Sequence, residues 1–152
     1  MSGPSLDAPG SAGPERLLVA PVLRDEQPPH GWRYLLVRWP DWPHPTLLSL
    51  AAPGPGDSMA EAVRVLIEAR LRLACEGEPR ASETRVPVRM PLPRVGGEGQ
   101  GWLRPVVVRV SGEPQPDALL AGVEAFTLDQ ALAALPTEVE RTVLRAAADL
   151  LD

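Results

Sequence analysis

Cysteine is almost missing from this 152-residue chain, where Cys75 stands alone. A single thiol excludes an intrachain disulfide and fits a reducing compartment. Histidine is as scarce: only His30 and His44 occur, in the proline-rich stretches QPPHGW and WPHPT. These residues make no Cys/His metal cluster, and each histidine reads as a solvated loop residue. Positive charge is in the minority, with 15 Lys+Arg against 20 Asp+Glu and a formal net charge of −5. That balance argues against a nucleic-acid partner, which is normally met by a basic face. No apolar run approaches the ~20 residues that a membrane-spanning helix needs. Residues 1–14, MSGPSLDAPGSAGP, are small and polar and lack the apolar core of a signal peptide. The expectation is a cytoplasmic protein with neither membrane nor nucleic acid as a partner.

What is present is proline, 19 in all, placed mostly in loops, where it stiffens connections by restricting the unfolded chain. The length suits one domain with a proper core. Residues 1–14 read as a flexible tail, and 15–152 as a single domain. From Arg16, RLLVAPVL is a β-like run, and Pro21 within it predicts an edge position or a bulge. Residues 32–39, WRYLLVRW, form a second strand with alternating faces. The rigid loop PDWPHP leads into TLLSL at 46–50. A Pro/Gly loop, PGPGD, precedes one helix, with Asp57 or Ser58 as its N-cap. LRLACE begins another strand and EPRASE is a loop.

Further on, TRVPVRMPL alternates, with Val86, Val88 and Met90 on one side, and its prolines suit an edge strand. VGGEGQG at 95–101 is a glycine-rich loop, and WLRPVVVRV at 102–110 is the most strand-like run. Residues 123–126 form a short strand. Two helices close the chain. Thr127 with Gln130, and Thr137 with Glu140, occupy capping-box positions, and Pro136 separates the two. The order predicts an α+β (mixed α/β) class.

This order resembles the Nudix hydrolase superfamily: a strand ending at Arg38, a strand into PGD, a helix, and the close EAFTLDQALAALP followed by a final helix. The resemblance covers residues 16–150 and implies a mixed β-sheet sandwiched between helices. The family box is G-x5-E-x7-R-E-U-x-E-E-x-G-U, with U aliphatic. It implies glutamates that hold Mg²⁺ against a substrate diphosphate and activate water. In the best ungapped register, Asp57 takes the place of the early glutamate and Val65 that of the arginine. Leu66, Ala69 and Arg70 stand at the metal glutamates, Arg72 at the glycine and Ala51 at the leading glycine. Shifting by one residue matches Arg64 and Glu68, but Val65 and Ala69 then fill metal positions and Leu71 the glycine. Neither register holds a full ligand set.

Helical geometry is an independent reading. At about 100° per residue, Met59, Ala62, Val63, Leu66, Ile67 and Leu73 fall on one arc of roughly 140°. Glu61, Arg64, Glu68 and Arg72 fall opposite, as a ladder of weak i,i+3 and i,i+4 pairs, about 0.2–0.5 kcal/mol each. Arg70 falls near the middle of the apolar arc. Its stem can cover core edge with the head in water. Alternatively, its guanidinium can take a phosphate or carboxylate directly, in place of metal, with Arg38 and Arg104 as neighbours. Trp39 and Trp42 flank the loop beside the expected cleft and offer stacking for a ring, against core or loop packing as the plain alternative. Glu98, in the glycine-rich loop, is an extra mobile acid.

Three readings follow. In the first, a Nudix-like protein without the usual metal glutamates binds a phosphorylated or nucleotide-like small molecule through Arg38, Trp39, Arg70 and Arg104, with no metal. In the second, an active hydrolase of a nucleoside diphosphate linked to another group uses Mg²⁺ and a rearranged acid set, Asp57, Glu61, Glu68 and Glu98. In the third, the chain is a structural or partner-binding domain, such as a homodimer, with no small ligand.

Overall fold

A computed structural model describes residues 13–26, 31–91 and 96–151. In chain order the elements are β1 (Glu15–Asp25), β2 (Gly31–Arg38), β3 (Leu48–Ala51), α1 (Met59–Leu71), β4 (Ala74–Cys75), β5 (Arg80–Ala81), β6 (Val86–Pro91), β7 (Glu98–Ser111), β8 (Gly122–Phe126), α2 (Leu128–Ala134) and α3 (Glu138–Ala148). The sheet is organised on β1 and β7, which run parallel from Glu15↔Trp102 to Val22↔Arg109. β7 carries β6, β5 and β4 in turn along its other side, all antiparallel. β1 carries β3 and then β2 along its other side, and β8 extends the sheet beyond β2, again antiparallel.

The continuous apolar runs of β1, β2 and β7 follow from burial on both faces. Strand side chains alternate sides, so a strand covered above and below needs apolar residues at every position. Leu17, Val19, Leu35, Val37, Val106 and Val108 point to one face and pack on Val63, Ile67 and Leu71 of α1. Leu18, Ala20, Val22, Leu36, Leu103 and Val107 point to the other and pack on Ala131, Val143, Leu144 and Ala147 of α2 and α3. A mixed sheet between helices is the expected fold class, and it is what the chain adopts. Among the described residues, no helix is long and apolar enough to cross a membrane.

The capping residues act as expected at α1 and α2 and by half at α3, where the Glu140 carboxylate bonds the Thr46 and Thr137 hydroxyls. The Ser58 hydroxyl accepts from Glu61 N–H at 3.1 Å, so Ser58 and not Asp57 is the cap of α1. Thr127 and Gln130 close a reciprocal box at α2. The Thr137 hydroxyl accepts from Glu140 N–H at 3.1 Å at α3.

Several expectations need correction. Pro21 is not at an edge: it is buried in β1, between the last β3 pair, Val19↔Leu48, and the first β2 pair, Val22↔Tyr34. The missing N–H is tolerated where the strand changes partner. Glu98 to Gly101 is not loop but the start of β7, paired to β6 from Pro91↔Glu98 to Val88↔Gly101. Arg80 and Ala81, read as loop, pair with β7. α1 ends at Leu71, with Arg72 in the left-handed region (φ 56°), so Leu73 lies off the helical arc. Of the proposed tail, residues 1–12 lie outside the described residues, as does His30. Pro14 is fastened, its carbonyl accepting from Trp102 N–H at 2.9 Å.

Candidate functional site

The segment between β2 and β3 is shaped by the dipeptide Pro40-Asp41. Trp42 N–H donates to Trp39 C=O at 3.1 Å across it, and Asp41 takes φ 69°. Proline at the second position and a positive φ at the third is the pattern of a type II turn, with aspartate in the place that glycine usually fills. The turn sets Trp39 and Trp42 on the same rim. Arg38 Nη1 donates to Pro43 C=O at 3.2 Å, and Val37 and Thr46 exchange backbone bonds at 2.8 and 2.9 Å, which returns the chain to the sheet.

Beneath the two indoles lies a cleft of about 380 Å³. Leu18, Leu47, Val88 and Leu103 supply its apolar lining. Thr46 and Ser49 border it on the β3 side, and Thr137, Val139 and Glu140 at the start of α3. Trp42 is 55% exposed at the rim. The Glu140 carboxylate is held on two sides. Thr46 donates its hydroxyl hydrogen to Oε1, and the Thr137 hydroxyl lies 3.3 Å from Oε2. A fixed acceptor beside exposed aromatic faces can orient a ring that carries N–H or O–H donors.

The residues singled out in the sequence do not converge on one point. Trp39 lines the cleft, and the guanidinium carbon of Arg70 lies 6.0 Å from its ring centroid. Arg70 is not at the centre of the buried face of α1, which is Val63, Ile67 and Leu71. It sits about 60° of helical rotation from Ile67. Its Nη1 donates to Asp117 Oδ2 at 2.6 Å, and this hydrogen bond holds the Asp117 carboxyl below the ordinary carboxylate range. Arg38 lines a separate small hollow with Gly122 and Glu124.

Arg104 does not join Arg70 in a cavity. Its Nε binds Glu15 Oε2 at 2.9 Å and its Nη1 binds Ser82 C=O at 2.6 Å. Arg85 Nη1 reaches the other oxygen of Glu15 at 3.1 Å. Burial pushes the Glu15 carboxyl up, and the bonds from Arg104 and Arg85 more than reverse this, leaving it below its ordinary value. Asp57 borders the same hollow as Arg104 and Glu15.

The remaining acids are dispersed. Glu61 pairs with Arg64 at 2.6 Å, on the outward ladder as expected. Glu68 borders a shallow depression with Arg72, whose backbone N–H caps Glu68 C=O at 3.1 Å. The expected Glu68–Arg72 rung gives way to this cap because the left-handed turn at Arg72 ends the helical spacing. Glu98, at the start of β7, reaches Arg89 only at 4.0 Å. Among the described residues, no three His, Cys, Asp or Glu side chains gather as a group able to hold a metal ion. Hard Mg²⁺ is held by oxygen donors in near-octahedral geometry. The acids of α1 do not offer that set, and Arg70 adds a positive charge beside Asp117, so the residues present do not fit the ion that the family box implies.

Sequence reasoning missed Asp117, Thr46, Glu140 and Glu15 as site residues. Asp117 lay in a turn read only as GEPQPD. Glu140 was absorbed by its capping position, and nothing local marks Thr46 as its partner.

The fold defined by these elements is that of the Nudix hydrolases. No family model and no curated protein matches the sequence. By structure, the chain is similar to the Nudix domain of Shewanella oneidensis NrtR, solved in complex with ADP ribose. That match has a TM-score of 0.61 and 15% identity and covers 93% of this chain and 90% of that one. It is also similar to the mutator MutT protein of Bacillus halodurans (TM-score 0.64, 13% identity, 87% and 80% covered). A third neighbour is the dihydroneopterin triphosphate pyrophosphohydrolase of E. coli (TM-score 0.61, 9% identity, 89% and 94% covered).

Proposed function

We propose that this chain binds a phosphorylated or nucleotide-like small molecule in the cleft beneath Trp39 and Trp42, without the metal-dependent catalysis of a standard Nudix hydrolase. The observation that carries the reading is the Arg70–Asp117 ion pair at 2.6 Å. Where the resemblance implies a metal carboxylate, α1 presents a cation already matched by an acid. The cleft supports the binding half of the proposal. Its volume of about 380 Å³ falls within the ~300–1,000 Å³ common for small-molecule sites. Its indoles can stack on a planar ring, with Glu140 as the fixed acceptor for ring donors. Arg38, beside Trp39, is the candidate to meet phosphate oxygens, with Arg70 and Arg104 contributing only if they release Asp117 and Glu15.

The experiment is a thermal-melt series with ADP ribose, ADP and inorganic diphosphate, first in EDTA and then in Mg²⁺ or Mn²⁺, with chromatography for products. ADP ribose is a natural probe because the similar Shewanella domain was solved with it. The expected result is stabilisation by a nucleotide-like ligand in EDTA, by roughly 5–10 °C near 100 times its dissociation constant. Trp39→Ala removes that shift, and no product appears. A shift that needs metal, accompanied by turnover, overturns the proposal in favour of a hydrolase using Asp57, Glu61, Glu68 and Glu98. No response to any probe leaves the structural or partner-binding reading, with a homodimer as its simplest form.

A further inference from the structure

The connection from β7 to β8, residues 112–121, is fastened to the C-terminal end of α1 by three bonds. Gln115 N–H donates to Leu71 C=O at 2.8 Å, and Asp117 N–H donates to Arg70 C=O at 2.9 Å. The third is the ion pair from the Arg70 side chain to Asp117 Oδ2 at 2.6 Å, with the two side chains 29% and 18% exposed. The other oxygen, Oδ1, accepts from Leu119 N–H at 3.0 Å. Both oxygens of Asp117 are thus engaged by donors of the chain itself. At the far end of the connection, Ala121 N–H donates to Arg38 C=O at 2.7 Å, next to Trp39. The Arg70 guanidinium stands 6.0 Å from the Trp39 ring.

We infer that the Arg70 guanidinium is the resident cation of this end of the domain: a charge carried on α1 that holds Asp117, and with it the 112–121 connection and the Trp39 wall, where fold relatives are implied to rely on a carboxylate-bound metal. Arg70 is a positioning residue in this account. The inference rests on the metal-independent reading of the cleft. Replacing the fixed cation by a carboxylate leaves two acids facing each other, and a divalent ion with several waters can be held by two carboxylates. The site is thereby converted from metal-indifferent to metal-responsive. Removing the charge without adding an acid does not convert it.

The test is a set of thermal melts in EDTA and in millimolar Mn²⁺ or Ca²⁺. The proteins are the wild type, Arg70→Glu, Arg70→Met, the double variant Arg70→Glu/Asp117→Asn, and the charge swap Arg70→Asp/Asp117→Arg. The wild type melts at the same temperature with and without metal. Arg70→Glu melts lower in EDTA and gains roughly 5–10 °C at a metal concentration about 100 times its dissociation constant. Arg70→Met falls without gaining a metal response, and Asp117→Asn abolishes the response of Arg70→Glu. The charge swap melts nearer the wild type than Arg70→Glu does in EDTA. If Arg70→Glu does not fold, the charge swap is read against Arg70→Met: it melts higher than Arg70→Met if the restored pair holds the connection, and a swap no higher than Arg70→Met overturns the inference.

The inference is overturned if the wild type itself is stabilised by metal and loses this in Asp117→Asn. A folded Arg70→Glu that ignores metal overturns it as well, and so does a charge swap no more stable than Arg70→Glu. Failure of the ligand reading is distinguishable. If no nucleotide-like probe shifts the wild type while Arg70→Glu still gains its metal response, the binding proposal falls and the resident cation stands.

Discussion

Thr46 and Glu140 lie 94 positions apart, and the Thr46 hydroxyl donates to the Glu140 carboxylate where the approach to β3 meets the first turn of α3. Thr46 is 8% exposed, so its hydroxyl has little access to water as a substitute partner. A buried polar group deprived of its partner costs about 1–3 kcal/mol. Glu140→Ala is expected to destabilise the fold by that amount in urea unfolding. Removing both groups, as Thr46→Val/Glu140→Ala, restores part of the loss, because no orphaned hydroxyl remains. Strict additivity of the single substitutions, with no coupling above ~0.5 kcal/mol, would show that the bond contributes nothing to stability.

Acid should weaken the fold through Glu15 and Asp117. Both carboxyls sit below their ordinary values in the folded protein. A group with a depressed folded pKa contributes stability that is present above the unfolded value, about 4, and is lost as pH falls through the folded one. The wild type therefore loses stability below about pH 4, while Glu15→Gln and Asp117→Asn are weaker than the wild type at pH 7 and lose less on acidification. Urea midpoints at pH 7, 5 and 3 check this. A gap between wild type and variant that is as wide at pH 3 as at pH 7 contradicts it.

Arg72 offers a stabilising substitution. It is a non-glycine residue at φ 56°, ψ 39°, closing α1 with its N–H on Glu68 C=O. The left-handed conformation costs an L-residue about 1–2 kcal/mol, and glycine enters it freely at an entropic cost of about 0.5–1 kcal/mol. Arg72→Gly is expected to gain roughly 0.5–1 kcal/mol in the unfolding midpoint. Arg72→Val, β-branched at the same dihedral, should lose stability. If the glycine variant is less stable than the wild type, the Arg72 side chain makes a contribution that outweighs its backbone strain.

How much could be read from the residues differs between scaffold and site. The strands at 16–23, 32–39 and 102–110 declare themselves because a sheet buried on both faces demands unbroken apolar runs, and Leu17 to Val22 and Tyr34 to Val37 supply them. Caps are local chemistry, so Thr127 and Thr137 were legible with Gln130 and Glu140 three residues on, and Ser58 as one of two candidates beside Asp57. Tertiary compensation was not. Pro21 reads as an edge or bulge residue until its position between two partner strands is known. Glu98 reads as loop because GGEGQG is rich in turn residues, yet pairing with β6 outweighs that propensity. The site rests on long-range partners: Asp117 lies 47 positions from Arg70, and Glu15 lies 89 from Arg104. Neither distance leaves a spacing in the sequence.

The two tryptophans of the cleft can be separated by experiment. Trp42 is 55% exposed and lines the rim, whereas Trp39 is part-buried against the α1-side core and adjoins Arg70. Trp42→Ala is expected to change stability by no more than ~0.5 kcal/mol, as for an ordinary surface substitution. If a ring stacks there, affinity falls by about 1–3 kcal/mol, or roughly 5- to 150-fold. Trp39→Ala weakens both fold and ligand. Titration calorimetry with ADP ribose and with inorganic diphosphate divides stacking from charge. Loss of Trp42 weakens the ring-bearing ligand and leaves diphosphate unchanged. Equal weakening of both ligands would place the indole against the phosphates, and an unchanged ADP-ribose affinity in both variants would remove the cleft from the binding account.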